Sequence, residues 1–415
     1  MSAREIEGRL IDAMSEMDVV DAHEHIMVEP ERLARDVDVL TLFQHYTRTD
    51  LRSAGMPEEW AWGKLHDETL PLEARWKVFS RFYEDIKHGS YARAARIAAR
   101  DIYGVDDIND STYLELTEKM KAANVPGLYD RILKEKCRIR KILVLGGQKE
   151  GDEFFAPLLP AEWLGTWAGR ERMEELSAMW GVPVRTWDDL MTMIETALAE
   201  WRRRGGSGVK FAANMLGESY PEDARAIFTD IMDKGDVDPG SRVIFRNQLT
   251  HEIAERAGAA GHVVAVHTGI IWDNWNDFHQ MHPRKLIPYL QLHRSTSFDA
   301  YHAGIPWVGT VGVMGKTFPN LHLNLCWCHV ISQSMSVRAL DEWLDIVPTN
   351  KIIGFGGDYS LPVEKVWGHL VMAREDIARA LARRVADGLL TEDEAAGLAR
   401  RFLYENPKRI YGLDC

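Results

Sequence analysis

Short apolar runs alternate with longer stretches of helical period along most of this 415-residue chain, the order expected of a parallel α/β fold. The candidate strands are Asp18 to His23, Lys141 to Leu145, Glu153 to Leu158, Gly208 to Ala212, His262 to His267, Ser297 to His302, Leu321 to Cys326 and Lys351 to Gly356. Eight such runs suit a closed (β/α)8 barrel of the TIM type. Several give way at once to Gly or polar residues, as in Val266-His267-Thr268-Gly269, Tyr301-His302-Ala303-Gly304 and Gly356-Gly357-Asp358. In a barrel of this kind the strand C-termini and the loops after them form the active face, so chemistry is expected at those residues.

One stretch breaks the rhythm. Residues 39–138 are rich in helix formers and carry Trp60, Trp62, Trp76, Phe79, Phe82 and Tyr83, with apolar residues recurring at helical spacing. They are too many for a plain βα connection and too apolar for a disordered loop, which predicts a helical subdomain over the barrel mouth, its aromatics mostly core. The chain therefore divides into an N-terminal helix and first strand (1–38), a helical insertion (39–138), and the rest of the barrel with C-terminal helices (139–415). Near the end Gly388 breaks a helix and Thr391 caps the next.

Composition narrows the partners. Asp and Glu total 63 against 50 Lys and Arg, a net charge of -13 that repels nucleic acid and anionic membrane; the run Trp201-Arg202-Arg203-Arg204 reads as a solvated helix end. No stretch offers the ~18 apolar residues of a membrane span, and the N-terminus lacks the pattern of a signal peptide. Four cysteines give no disulfide framework, and Cys326-Trp327-Cys328 has the wrong spacing for a Cys-x-x-Cys pair. A cytoplasmic protein acting on a small molecule is expected, with a homo-oligomer compatible with the fold.

The chemistry starts at His23 and His25. On a strand, alternate residues share a face, so Asp21, His23 and His25 project together and both imidazoles can close on one metal ion. His267, His302 and Asp358 also fall at strand ends. The intervals of 35 and 56 residues between them fit one and two βα units, which brings all five groups to one rim. Around them, Trp272, Trp275, Trp307 and Trp327 are candidates to wall a pocket, and Arg284, Lys285, Arg294 and Arg374 to anchor a carboxylate. Asp273, Asp277, His279 and His282 lie in a polar segment that reads as a mobile active-site loop.

The pattern resembles the amidohydrolase superfamily, specifically its branch of amidohydrolase-related metal-dependent hydrolases, near decarboxylases and uronate isomerases. The resembling parts are Asp21-Ala22-His23-Glu24-His25, Gly208-Val209-Lys210, His267-Thr268-Gly269, His302 to Trp307, Gly356-Gly357-Asp358, Pro319 to Leu325 and Glu405 to Gly412. The resemblance implies that His23, His25 and Asp358 ligate a divalent metal, with His267 a further ligand or a partner of metal-bound water. It gives His302 a second metal or the substrate carbonyl, and Lys210 a substrate anion or, as a carbamate, a metal bridge. Zinc suits the donor set, with manganese or iron open to the same donors. Asp21 is expected to orient the ligands from beneath.

On this reading Asp358, His302 and His267 are catalytic, and Lys210, Trp272, Trp307 and Arg374 meet the substrate. The activity expected first is hydrolysis of an amide, lactone or ester bond in a small carboxylate-bearing molecule by metal-activated water. The alternatives are a metal-dependent decarboxylase or uronate-type isomerase on the same barrel, and a non-catalytic ligand-binding or scaffold protein.

Overall fold

Each of the eight apolar runs forms a strand in the computed structural model, which describes residues 2–147, 152–167 and 169–415. They are β1 (Val19–Glu24), β2 (Ile139–Leu145), β3 (Phe155–Pro160), β4 (Gly208–Ala212), β5 (Val263–His267), β6 (Phe298–Tyr301), β7 (Leu321–Asn324) and β8 (Ile352–Ile353). All neighbours pair in parallel, in sequence order from β1 to β8. The ring closes through the chain just past β8: Ala22 N–H donates to Phe355 O (3.2 Å) and Asp358 N–H to His23 O (2.8 Å). The sheet is therefore a (β/α)8 barrel of the TIM type.

Local chemistry moves two strand boundaries. The Asp152 carboxylate accepts from Phe154 N–H (2.9 Å) and its carbonyl from Phe155 N–H (3.0 Å), so a turn precedes β3 where the apolar pattern placed its start. Past Ile353, Gly354 N–H donates to Phe402 O (2.9 Å), which takes that residue out of the ladder and leaves β8 two residues long. The segment Gly354–Asp358 nevertheless stays buried between β1 and β7.

Every residue of β1 is buried, as a strand covered on both faces requires. Outside the barrel, the long helix Glu364–Ala386 packs across the N-terminal helix Ala3–Ser15 and the insertion helix Ser90–Tyr103. Ser2 and Glu5 form a capping box on the first of these, and Thr391 and Glu394 one on the helix Glu392–Arg400. Among the described residues, no helix is long and apolar enough to cross a membrane.

The helices Leu72–Ile86, Ser90–Tyr103 and Tyr113–Ala123 gather with the Val39–Phe43 turn around a separate apolar cluster that includes Phe43, Trp76, Phe79 and Tyr83. Trp76 stacks on Tyr113 at 4.6 Å between centroids. This unit is tied to the barrel by Arg32, which is fully buried. Its guanidinium donates to Glu364 Oε1 (2.9 Å), Asn124 Oδ1 (2.7 Å) and Leu361 O (3.0 Å), while Tyr103 OH donates to the same Glu364 oxygen (2.9 Å).

Candidate functional site

The turn after β8 is built around two glycines. A Cβ on Gly356 would lie 2.5 Å from Cys326 Cβ and 2.9 Å from His23 N, and one on Gly357 would lie 1.8 Å from Glu24 Oε1. Only glycine lets this segment pass so close beneath β1. The chain then enters the left-handed region at Asp358 (φ 61°), a conformation Asp tolerates better than most residues. Asp21 Oδ1 accepts from Gly357 N–H (2.9 Å), Glu24 Oε2 from Tyr359 N–H (2.6 Å), and Tyr359 O from His25 N–H (3.0 Å). Asp358 is thus gripped on both sides by the end of β1. Burial pushes the Asp21 carboxyl up to about 7 and Glu24 up as well, Glu24 raised further by the charge of Asp21, so the pair retains a proton and holds the turn without two buried charges.

That grip aims Asp358 Oδ1 at His23 Nε2 (3.3 Å) and His25 Nε2 (3.1 Å). The three ligand atoms lie within 4.8 Å of one another. Burial, with Lys210 close by, lowers His23 to about 3, so its ring is neutral. Burial would raise Asp358, but the His23 and His25 rings hold it well below the usual carboxylate range. The result is a carboxylate and two imidazoles converging on one point, a donor set that fits a divalent cation.

His267 and His302 stand beside this cluster, paired with each other. His302 Nε2 faces His267 Nδ1 (3.0 Å), His267 Nε2 faces Ile270 O (2.9 Å), and His302 Nδ1 faces Cys326 O (3.0 Å). His302 Nε2 is 3.9 Å from Asp358 Oδ2. Burial lowers His267 to about 4 and His302 well below its ordinary value, so both are neutral. Lys210, rising from β4, puts Nζ 3.1 Å from His23 Nε2 and 3.9 Å from the Tyr301 ring centroid; burial lowers it to about 8.

A cavity of about 350 Å³ opens over these groups, lined by His25, His267 and Asp358 at its floor and by Trp272, Ile271 and Met281 from the loop after β5. The insertion contributes His45 and Tyr46, and Ser360 completes the wall. His45 sits at φ 62° and is lowered to about 4 by burial, which makes it a neutral imidazole facing the metal side. Tyr46 packs on Trp327 at 3.6 Å between centroids, so Trp327 supports the wall from behind.

Sequence reading missed His45 and Tyr46. Their only mark is a polar pair closing the buried apolar run Val39–Phe43, and nothing local shows that this end of the insertion meets the mouth. Two expected substrate groups lie elsewhere. Arg374 is buried on the outer face of the barrel, with Cys137 beside it and the Trp367 ring 5.9 Å away, because the helix Glu364–Ala386 packs on the helical turn Asp130–Lys136 that leads into β2. Trp307 stacks with Phe278 (5.6 Å) and His282 (4.3 Å) instead of lining the cavity. Trp272 is at the mouth, edge-on to Trp62 of the insertion (5.4 Å).

Comparison with known proteins follows the same lines. The profile of the family described as Amidohydrolase matches residues 179–413. A uronate isomerase of Xanthomonas axonopodis pv. citri (strain 306) is 20% identical, over 99% of this chain and 96% of that protein. The crystal structure of a uronate isomerase from Thermotoga maritima superposes with a TM-score of 0.80 at 13% identity, over 98% of this chain and 97% of that one. A glucuronate isomerase from Caulobacter crescentus gives 0.78 at 18% identity, over 100% and 95%. These relatives match along the whole chain, insertion included, and are isomerases by name. They overturn the expectation of a hydrolase and favour the isomerase alternative.

Proposed function

Because this chain belongs to the amidohydrolase family and carries two imidazoles and a carboxylate converging at its barrel mouth, we propose that it is a metal-dependent isomerase of uronate-like sugars, interconverting aldose and ketose forms. The observation that carries this reading is the likeness to a uronate isomerase over nearly the whole of both chains. His23, His25 and Asp358 would hold the ion; zinc suits them, and manganese or iron is compatible with the same donors. A bound divalent ion supplies Lewis acidity toward the oxygens of the reacting carbons.

Aldose to ketose conversion moves one proton between adjacent carbons and consumes no water. Asp358 and His45 both border the cavity, one a carboxylate and the other a neutral imidazole, and each can take and return a proton there. Lys210 Nζ supplies a donor on the β4 side, while the single protons of the neutral His267 and His302 rings are held by Ile270 O and Cys326 O. Trp272, Ile271 and Met281 keep bulk water from the reacting carbons.

The test is to incubate metal-loaded protein with glucuronate in heavy water and follow the proton spectrum. A ketose carrying deuterium at C1 is the expected product, with turnover abolished by a chelator and restored by zinc or manganese. Release of carbon dioxide, or no turnover of any uronate by metal-loaded protein, would overturn the proposal.

A further inference from the structure

We propose that the loop after β5 carries the mouth into a second site that binds an acidic oligosaccharide, so that the uronate presented to the metal side is the reducing end of a short chain. This rests on the isomerase reading for the reaction, and on separate observations for the binding.

The first observation is aromatic. Trp275 is 93% exposed, and its loop neighbours Trp272 and Phe278 are 44% and 43% exposed. Leaving such side chains in water forgoes the gain of burying them, and a group of them beside a catalytic mouth marks a contact surface. The loop holds them there with its own hydrogen bonds. Asn276 Nδ2 donates to Asp273 O (2.8 Å) and Trp272 O (3.3 Å), and Asp273 N–H donates to Thr49 Oγ1 of the insertion (3.2 Å). The flat, weakly polar C–H faces of a sugar ring are the partners that indole and phenyl faces accept while leaving hydroxyls in water.

The second observation is charge. Beyond Phe278 the same loop borders a cavity of about 510 Å³ lined by His279, His282, Arg284 and Lys285, with the Glu218 side chain on its wall. Met281 lines the mouth while His279 and His282 line this cavity, so one strand of loop is the wall between the two. Arg284 N–H donates to His282 Nδ1 (3.1 Å), which fixes the neutral ring with its proton on Nε2 as a donor. Lys285 Nζ donates to Gln280 Oε1 (3.1 Å). Burial and the charge of Arg246 lower Lys285, against the opposing charge of Asp277. Among the described residues, Arg246, Arg284 and Lys285 form no ion pair with a carboxylate, in a chain whose net charge is -13. The carboxylates near them are otherwise engaged: Glu218 accepts from Tyr220 OH, and Asp277 accepts from His279 N–H (3.1 Å) and Gln280 Nε2 (3.2 Å).

Aromatics alone would fit a neutral glycan, and cations alone an inorganic anion. Both along one loop, leading out of the mouth, fit a chain of sugar acids whose rings stack on Trp272 and Trp275 and whose carboxylates meet His282, Arg284 and Lys285. At the reducing end the reaction is unchanged. The C2 hydrogen moves to C1, the carbonyl moves from C1 to C2, and no bond to the rest of the chain is broken.

The experiment compares galacturonate with its 4-linked dimer and trimer on metal-loaded protein, reading both kcat/KM and quenching of tryptophan fluorescence. Wild type is expected to prefer the trimer by about tenfold or more, equivalent to ~1.4 kcal/mol. Trp275→Ala and the double variant Arg284→Gln/Lys285→Gln should lose that preference, chiefly in KM, while turning over the monomer as before. Equal kcat/KM for monomer and trimer, or variants that leave the preference intact, would overturn the site. If no uronate is isomerised, the binding arm still decides: saturable quenching by trimer, lost in Trp275→Ala and the double variant, supports the site while the isomerase reading fails. Absence of quenching overturns both.

Discussion

At the scale of single residues, the site depends on how closely the β8 turn can approach β1. Gly357→Ala places a methyl against Glu24 Oε1 and 3.3 Å from Asp21 Oδ2, and Glu24 cannot swing aside because its other oxygen binds Tyr359 N–H. The variant is expected to be less stable by about 1–3 kcal/mol in urea unfolding, the usual range for overpacking. It should also bind less metal than wild type, since Asp358 moves with the turn. Full metal stoichiometry in the variant would show that the grip of Asp21 and Glu24 does not set the ligand. His23, His25 and Asp358 were legible in the sequence because strand ends fix the direction of a side chain and loop glycines mark close approach. Arg374 was not legible: periodicity shows that a helix has a buried face, but which neighbour covers that face is settled by packing. The reaction type was illegible for a different reason. One set of ligands serves hydrolysis and proton transfer alike, and the groups that separate them come from loops and from the insertion.

At the scale of elements, eight apolar runs at βα spacing were enough to give the barrel, while most strand ends lie a residue or two from where the pattern put them, with identifiable causes at Asp152 and Gly354. The insertion was legible as helical, but its contribution to the mouth, His45 and Tyr46, depends on how it docks. Arg32 and Glu364 control that docking from a position with no exposure to solvent. Removing one partner leaves the other charge buried and unpaired, so Arg32→Ala should cost about 3–5 kcal/mol. Replacing both with apolar residues, as in Arg32→Met/Glu364→Leu, should recover most of that loss. The double variant is still expected to show a raised KM, because Asn124 loses its bond from Arg32, Tyr103 its bond to Glu364, and the wall bearing His45 is held less tightly. Chemical denaturation and steady-state kinetics on the two variants separate these effects. A single variant as stable as wild type would mean that the apolar cluster of the insertion docks it without the ion pair.

At the scale of the whole molecule, the barrel and its insertion bury many imidazoles in their neutral form. Burial lowers His45, His251, His267 and His322 to about 4 and His66 to about 3, whereas an unfolded histidine titrates near 6.5. As pH falls from about 6.5 toward 4, the unfolded chain takes up protons that the folded chain refuses, so stability is lost through that window. Buried acids act the other way, Glu24 and Asp376 among them. Asp21 is raised to about 7 and Asp299 to about 6 by burial, so below those values the folded state keeps protons that unfolded carboxylates release. The histidines outnumber the acids, and the net sign is loss of stability on acidification. Each net proton is worth about 1.4 kcal/mol per pH unit, so metal-free protein should unfold at markedly lower urea between pH 7 and pH 5, with a slope above that single-proton value. Metal-loaded protein should unfold at higher urea than metal-free protein, by the stabilisation that binding to the folded state adds. A stability profile that is flat or rises toward pH 5 would mean that the buried imidazoles are already charged in the fold, and with them His45, whose role as a neutral proton carrier would then have to be given up.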